Sequence, residues 1–246
     1  MMAKKQKTKK IKLTNSQKKI IAKKQLKMRN RLILRQFGRL RTVFKQLRGE
    51  IDPDEQLFIS ELAWETFSTQ LYNQLKKGML ETVNETSSFL VTHRNISKEL
   101  IPAIKNDTLK KFSEKVMAQK VTNVTQTTKN TINKIIVKGQ ASGKNIKEIA
   151  KEITQKVKGM EKTRAMVIAR TETATTSTTT YYNGLVKAGL EKTWWHVGGG
   201  KTDRPSHLAC DKETIGAEET FSCGLKYPHD PEAPAGEIIN CHCELV

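Results

Sequence analysis

An apolar side chain recurs at alternating spacings of four and three residues between positions 33 and 51. The residues in this seam are Ile33, Phe37, Leu40, Phe44, Leu47 and Ile51. Because an α-helix completes a turn in about 3.6 residues, this spacing places all of them on one face. The pattern predicts a helix over residues 16–51 that buries this face against other elements.

The remaining faces of this segment are basic. Of the 44 Lys and Arg residues in the 246-residue chain, 18 lie in the first 49 positions, which contain no Asp or Glu. From Glu50 onward there are 26 bases and 25 acids, so the N-terminal segment accounts for most of the net charge of +19. One interpretation is a solvated face on a helix packed against the body. We favour the other, a surface that binds the phosphates of double-stranded DNA, because unpaired like charges repel unless an anion neutralises them.

The pattern divides the chain into a basic helical arm (1–51), a helical body (52–190) and a small lobe (191–246). Within the body, Asp52-Pro53-Asp54-Glu55 has the composition of a helix start. A buried stripe follows it at Leu57, Trp64, Leu71, Leu75 and Met79. A further helix is predicted from about Asp107 towards Val137.

Two more helices are predicted in the second half of the body. Asn145 and Glu148 have the spacing of a capping box and begin a short amphipathic helix that Gly159 ends. The segment from Met160 to Leu190 keeps a helical rhythm through the Thr-rich stretch TETATTSTTTYY. Its small side chains would let a neighbouring helix approach closely.

The lobe has a different character. KTWWHV and EIINCHCELV are typical of strands, and turns separate them. The predicted fold class is therefore mostly α, with long helices and a small α+β C-terminal lobe for which zinc is a candidate stabiliser. The basic start lacks the apolar region of a signal peptide, and no stretch approaches the roughly 20 apolar residues of a membrane span. We expect a soluble, intracellular protein without a membrane partner.

GGGKT, at positions 198–202, resembles the end of a phosphate-binding loop. Such a loop has a further Gly five positions before its Gly-Lys pair, where this chain has Trp195. The residues after Thr202 are DRPSH, which is not an apolar helix start that could hold phosphates. The pattern argues against a nucleoside triphosphatase with a phosphate-binding loop.

All four cysteines lie between positions 210 and 243, and in a reducing compartment such clustering favours a metal over disulfides. His207-x2-Cys210 and Cys241-x-Cys243 could supply four ligands to a closed, structural zinc site. Cys223 and His229 are further candidates that could replace one of these four ligands. Two alternatives stay open: free thiols alternating along a strand, or a nucleophilic cysteine.

Four blocks of the chain together resemble the phage Mu F-like minor head protein family. They are IARTETA (168–174), a tryptophan in WWHV, DRPSH (203–207) and YPHDPEAPAGEIINCHC (227–243), and the resemblance covers roughly residues 140–246. The matching positions are Arg170, Thr171, Glu172, Asp203, Arg204, His207, Cys241 and Cys243. This chain departs from the family pattern at Cys210-Asp211-Lys212 and at His242, which stands between the last two cysteines.

The resemblance implies a minor capsid or head morphogenesis protein of a tailed bacteriophage, present in few copies in the virion. It would assemble in the host cytoplasm, dock on portal protein or major capsid protein, and have no catalytic residues. Arg170 and Glu172 are about 200° apart on a helix, so each is expected to pair with a different part of the lobe. The alternatives are a metal-dependent nucleic-acid enzyme using Asp203 or Asp211, and a free nucleic-acid-binding protein.

Overall fold

A computed structural model describes residues 12–51, 59–197 and 203–246. In these ranges the chain forms seven α-helices, one short 3₁₀ turn at Lys98–Leu100 and three short strands. The helices are α1 (Asn15–Gly49), α2 (Glu61–Arg94), α3 (Ile101–Lys111), α4 (Glu114–Ala141), α5 (Ile146–Ala188), α6 (Pro205–Ala209) and α7 (Ala235–Ile238). The strands are β1 (Glu191–Trp195), β2 (Thr214–Gly216) and β3 (Glu244–Leu245). The predicted class, mostly helical with a small C-terminal α+β lobe, is confirmed.

Helix α1 confirms the N-terminal prediction. It begins with a capping box in which Thr14 and Gln17 each accept the backbone N–H of the other. The seam is buried at Ile33, Leu40, Phe44 and Leu47, against α5 and α2. A helix with so many bases is therefore held by its apolar face rather than by charge pairs along its own length.

Helix α2 carries most of the stripe predicted for the body. It begins at Glu61, where the side chain of Ser60 accepts the N–H of Ala63. Trp64, Leu71 and Leu75 are buried. The predicted start at Asp52-Pro53-Asp54-Glu55 and the first stripe residue, Leu57, lie outside the described residues.

The next two helices differ from the prediction of one helix starting near Asp107. Helix α3 already begins at Ile101, with Pro102 in its first turn, where a missing N–H costs nothing. Helix α3 ends before Phe112, whose side chain is buried, and α4 starts at Glu114. The backbone of Phe112 is non-helical (φ −105°, ψ 41°), so the two segments form separate helices.

Helix α5 begins as predicted, with a capping box formed by Asn145 and Glu148. The predicted end at Gly159 is wrong, because the helix continues to Ala188 and is capped by Gly189 in a left-handed conformation (φ 62°). A glycine inside a helix costs only about 1 kcal/mol relative to alanine. Burial of Val157 and Met160 on either side outweighs that cost.

The lobe contains a three-stranded antiparallel sheet in the order β2-β1-β3. Lys192 pairs with Ile215, and Trp194 pairs with Leu245. The strand predicted in KTWWHV is confirmed, but most of EIINCHCELV is not a strand. Helix α7 occupies its start, and Asn240 has a positive φ of 57° that interrupts an extended path.

Two hydrophobic clusters hold the molecule together. The first joins α1, α2, α4 and α5. The second joins the N-terminal half of α1 to the lobe and includes Ile21, Leu32, Trp194 and Phe221. The division at residues 51 and 190 stays a prediction, although α1 shares core with both other parts. None of the described helices has an apolar stretch long enough to cross a bilayer.

Candidate metal centre

Three of the four predicted ligands lie close together inside the lobe. His207 lies on α6, Cys241 follows α7, and Cys243 immediately precedes β3. The Nδ1 atom of His207 is 3.5 Å from the Cys241 sulfur and 3.7 Å from the Cys243 sulfur. All three side chains are buried, and their ligand atoms lie within 4.8 Å of one another. This group could hold a metal ion.

Hydrogen bonds from two arginine side chains position this group. The guanidinium of Arg204 donates to the carbonyls of Gly236 (2.6 Å) and Ile239 (2.8 Å). Arg170 on α5 donates to the side-chain oxygen of Asn240 at 2.7 Å, and Asn240 provides the turn into Cys241. Residues from α5, α6 and the segment after α7 therefore meet next to Cys241.

The electrostatics of the group favour a thiolate beside a charged imidazole. The pKa of Cys241 is lowered, first by a hydrogen bond from Cys243 and then, against the effect of burial, by His229 and His207. The pKa of Cys243 is raised, because it keeps its proton next to that thiolate and is buried. Burial would lower the pKa of His207, but its bonds to Cys241 and to Glu237 (2.7 Å from Nε2) raise it. A metal binds the thiolate and the neutral imidazole, so an ion bound here would displace the protons of His207 and Cys243.

The structure places the fourth predicted ligand, Cys210, elsewhere. Its sulfur accepts the backbone N–H of Cys223 at 3.1 Å and lies 3.4 Å from the Ser222 hydroxyl. Burial, followed by the contact with Cys210, raises the pKa of Cys223 to about 12. These two cysteines form a separate thiol pair across the loop that follows α6.

The carboxylates predicted for a catalytic metal also lie away from the group. Asp203 is 3.4 Å from Nε2 of His196, and Asp211 accepts the backbone N–H of His196 at 2.9 Å. The carboxylate at the cluster is instead Glu237, bonded to the outer nitrogen of His207. His242 is exposed between the two buried cysteines.

The comparison with known families covers this whole group. Residues 130–246 match the family described as Phage Mu protein F like protein. The resemblance predicted from the four sequence blocks is confirmed. The match includes the end of α4, all of α5 and every residue of the candidate centre, whereas α1, α2 and α3 lie outside it.

One curated relative is the uncharacterized protein YqbB of Bacillus subtilis (strain 168). It is 29% identical over 127 residues, which cover 48% of this chain and 41% of that protein. The matched part of this chain thus spans less than half the length of the relative. No solved structure matches the chain.

Within the Phage Mu protein F like region, Arg170 and Glu172 were each expected to pair with the lobe. Arg170 does so through Asn240. Glu172 does not, because it pairs with Lys120 on α4 at 2.5 Å. The two side chains diverge as their helical spacing requires, and one of them stabilises the packing of α4 against α5.

One residue of the site, Arg29 on α1, carries no signal in the sequence. It is buried and forms an ion pair with Glu244 at 2.9 Å. It also donates to the carbonyls of Cys243 (3.1 Å) and His242 (3.4 Å). A helix outside the Phage Mu protein F like region therefore contacts the backbone next to the candidate cysteine ligands. Among 18 N-terminal bases, no local pattern distinguishes this one.

Proposed function

We propose that this chain is a non-enzymatic minor capsid or head morphogenesis protein of a tailed bacteriophage. It docks on portal protein or major capsid protein, contacts packaged double-stranded DNA through its basic N-terminal segment, and resides in the virion after assembly in the host cytoplasm. The observation that carries this proposal is the family match over residues 130–246.

The metal at the candidate centre is zinc in this proposal. Zinc binds thiolate sulfur at about 2.3 Å and imidazole nitrogen at about 2.0–2.1 Å in a tetrahedron, so neighbouring sulfur and nitrogen ligands are about 3.6 Å apart. The distances from His207 Nδ1 to the two sulfurs, 3.5 and 3.7 Å, agree with that edge. The second bond of His207, to Glu237, is the kind of outer contact that orients a ligating imidazole.

Burial supports a structural role for the ion. His207, Cys241 and Cys243 are only 2–3% exposed, whereas a catalytic zinc keeps a position open to water and substrate. Asp203 and Asp211, the carboxylates nearest in sequence, contact His196 instead. A nuclease assay on His207→Ala separates the roles: a structural ion predicts loss of folding, and a catalytic ion predicts loss of cleavage with the fold retained.

The exposed face of α1 supports the contact with DNA. Six of its exposed bases have no acidic partner among the described residues: Lys19, Lys23, Lys24, Lys27, Arg41 and Lys45. At 100° per residue they fall within an arc of about 140°, and from first to last they extend about 39 Å along the axis. DNA presents one phosphate per roughly 1.7 Å of its length, so this face can lie along several phosphates.

Mass spectrometry of purified heads of the encoding phage or prophage tests the proposal. We expect a few copies of this chain per head, recovered together with portal protein after mild cross-linking. Heads that assemble and retain DNA with none of this chain in them would overturn a virion role. Binding of the free protein to DNA would then favour a nucleic-acid-binding protein outside the virion.

A further inference from the structure

A second buried histidine lies beside the candidate metal centre. His229 is 1% exposed, and its Nδ1 atom has no hydrogen-bond partner among the described residues. An unsatisfied buried polar atom costs about 1–3 kcal/mol, so native proteins rarely leave one without a partner. This nitrogen is therefore available to a ligand.

The other ring nitrogen determines which form of the imidazole is present. Nε2 of His229 lies 3.1 Å from the carbonyl oxygen of Cys243, which can only accept, so Nε2 carries the proton. Arg29 is farther from Nε2, at 3.4 Å, and donates to the same carbonyl at 3.1 Å. In a neutral ring with Nε2–H, the Nδ1 lone pair is free to bind a metal.

His229 thereby repeats the arrangement of His207. In both residues Nε2 is hydrogen-bonded to an oxygen. The oxygen belongs to the Glu237 carboxylate for His207 and to the Cys243 carbonyl for His229. In both, Nδ1 is the remaining nitrogen that can bind a metal. A bond from the outer nitrogen to a carboxylate or carbonyl is the usual second contact of a metal-bound histidine.

His229 also adjoins the cysteine segment, because its Nε2 atom is 3.1 Å from the carbonyl oxygen of Cys243. It is not among the three residues whose ligand atoms lie within 4.8 Å of one another, so its side chain has to shift to join them on an ion. Its backbone has a positive φ of 62°, which is uncommon for a residue with a side chain and is retained at functional sites.

The other candidates for a fourth ligand are engaged elsewhere. Cys210 contacts Cys223 and Ser222, and His242 is exposed to solvent. Glu237 is bonded to the outer nitrogen of His207 rather than facing the sulfurs.

We propose that Nδ1 of His229 is the fourth zinc ligand, completing a closed Cys₂His₂ site with His207, Cys241 and Cys243. This inference rests on the zinc centre proposed above. It replaces Cys210 in the ligand set predicted from the sequence. It also makes the loop between β2 and α7 part of the metal site, so that zinc joins three separate segments of the lobe.

The test uses the full chain loaded with zinc, with ligands counted by X-ray absorption and affinity measured by competition with a chromophoric chelator. We expect one zinc per wild-type chain, bound by two sulfurs and two nitrogens. His229→Asn, which tolerates a positive φ, should keep two sulfurs and lose one nitrogen. Its affinity should fall more than 100-fold, beyond the roughly 10–100-fold effect of losing an outer partner of a ligand. His229→Cys should bind zinc through three sulfurs.

His242→Asn is the matched control, since it changes another histidine beside the same cysteines, and it should leave affinity and ligand count unchanged. If wild-type protein binds zinc and His229→Asn matches it in affinity and nitrogen count, His229 is not a ligand. Should His229→Asn fail to fold, a count of two sulfurs in His229→Cys overturns the inference. Wild-type protein that binds no zinc refutes the metal centre itself, which is a separate outcome.

Discussion

Arg29 connects α1 to the lobe through buried polar contacts. Its guanidinium and the Glu244 carboxylate are 3% and 1% exposed and lie 2.9 Å apart. Burial raises the pKa of Glu244 to about 7, although Arg29 opposes the rise. Two charges removed from water in this way depend on each other, because either one alone lacks compensation.

Removing one member of this pair should be far more costly than removing both. We expect Arg29→Met to lower the free energy of unfolding by about 3–5 kcal/mol, and the double variant Arg29→Met/Glu244→Leu to recover much of that loss. Urea unfolding followed by circular dichroism provides the measurement. Arg31→Met is the control, since Arg31 pairs with Glu85 at the surface and should cost less than about 1 kcal/mol. Equal losses in Arg29→Met and Arg31→Met would contradict this account.

At the scale of elements, α5 contains two glycines in opposite surroundings. A Cβ at Gly184 would lie 2.5 Å from a methyl group of Leu90, which is fully buried on α2. A Cβ at Gly159 would meet nothing within 4 Å. The first glycine permits close packing between helices, and the second only weakens its own helix.

Alanine at these two positions should therefore have opposite effects. Gly159→Ala should raise the free energy of unfolding by about 0.5–1 kcal/mol through helix propensity. Gly184→Ala should lower it by about 1–3 kcal/mol through overpacking against Leu90. Thermal and urea unfolding of the two variants check both signs. A stabilised Gly184→Ala would mean that α2 and α5 do not pack closely there.

The basic face of α1 is a second property of an element. The expectation that its bases lack partners is wrong for several residues that pair with acids on other elements: Arg29, Arg31, Arg35, Arg39 and Arg48. Six exposed bases nevertheless have no acidic partner among the described residues. That the exposed bases of α1 bind DNA stays a prediction.

Binding of duplex DNA should depend steeply on salt. With 6–10 phosphates neutralised, affinity should fall by about 10³–10⁵ between 50 and 200 mM salt. Replacing Lys19, Lys23, Lys27 and Arg41 by Gln should reduce the slope of log K against log salt by about 0.9 for each phosphate that is no longer neutralised. Fluorescence anisotropy measures both quantities. The control replaces four exposed lysines of α4 and α5, Lys138, Lys151, Lys156 and Lys158, by Gln. If the two quadruple variants bind equally, α1 is not the DNA-binding face.

At the scale of the whole molecule, the lobe and the N-terminal half of α1 share one hydrophobic cluster. An ion bound by the loops around α6, α7 and β3 would stabilise that cluster as well as the lobe. Loss of zinc should therefore destabilise the N-terminal half of α1 more than α4, whose buried residues belong to the other cluster.

Removal of zinc by a chelator should lower the melting temperature. At free zinc 1,000-fold above its Kd, binding contributes about 4 kcal/mol, which the metal-free protein lacks. Hydrogen exchange should increase first in residues 203–246 and in α1 near Arg29. Reloading with zinc should reverse both changes. An unchanged melting curve and exchange pattern after verified metal removal would show that no structural ion is present.

Local sequence patterns were enough to predict two helix positions, three candidate ligands and the family resemblance. The seam from Ile33 to Ile51 places α1, and the pair Asn145 and Glu148 places the start of α5. His207, Cys241 and Cys243 were recognisable as candidate ligands from residue type and spacing, and the four sequence blocks indicated the family. Each of these signals lies within a short segment, where periodicity, capping and motif spacing act.

Only the tertiary structure decided the rest. Cys210 contacts Cys223 rather than the candidate metal centre, α5 continues through Gly159, and Arg29 pairs with Glu244 across more than 200 positions of the chain. These outcomes depend on which surfaces meet when α1, α5 and the lobe pack together. Interactions between distant segments leave no periodic trace in either segment, so a single sequence predicts the helices and candidate ligands but not how they are joined.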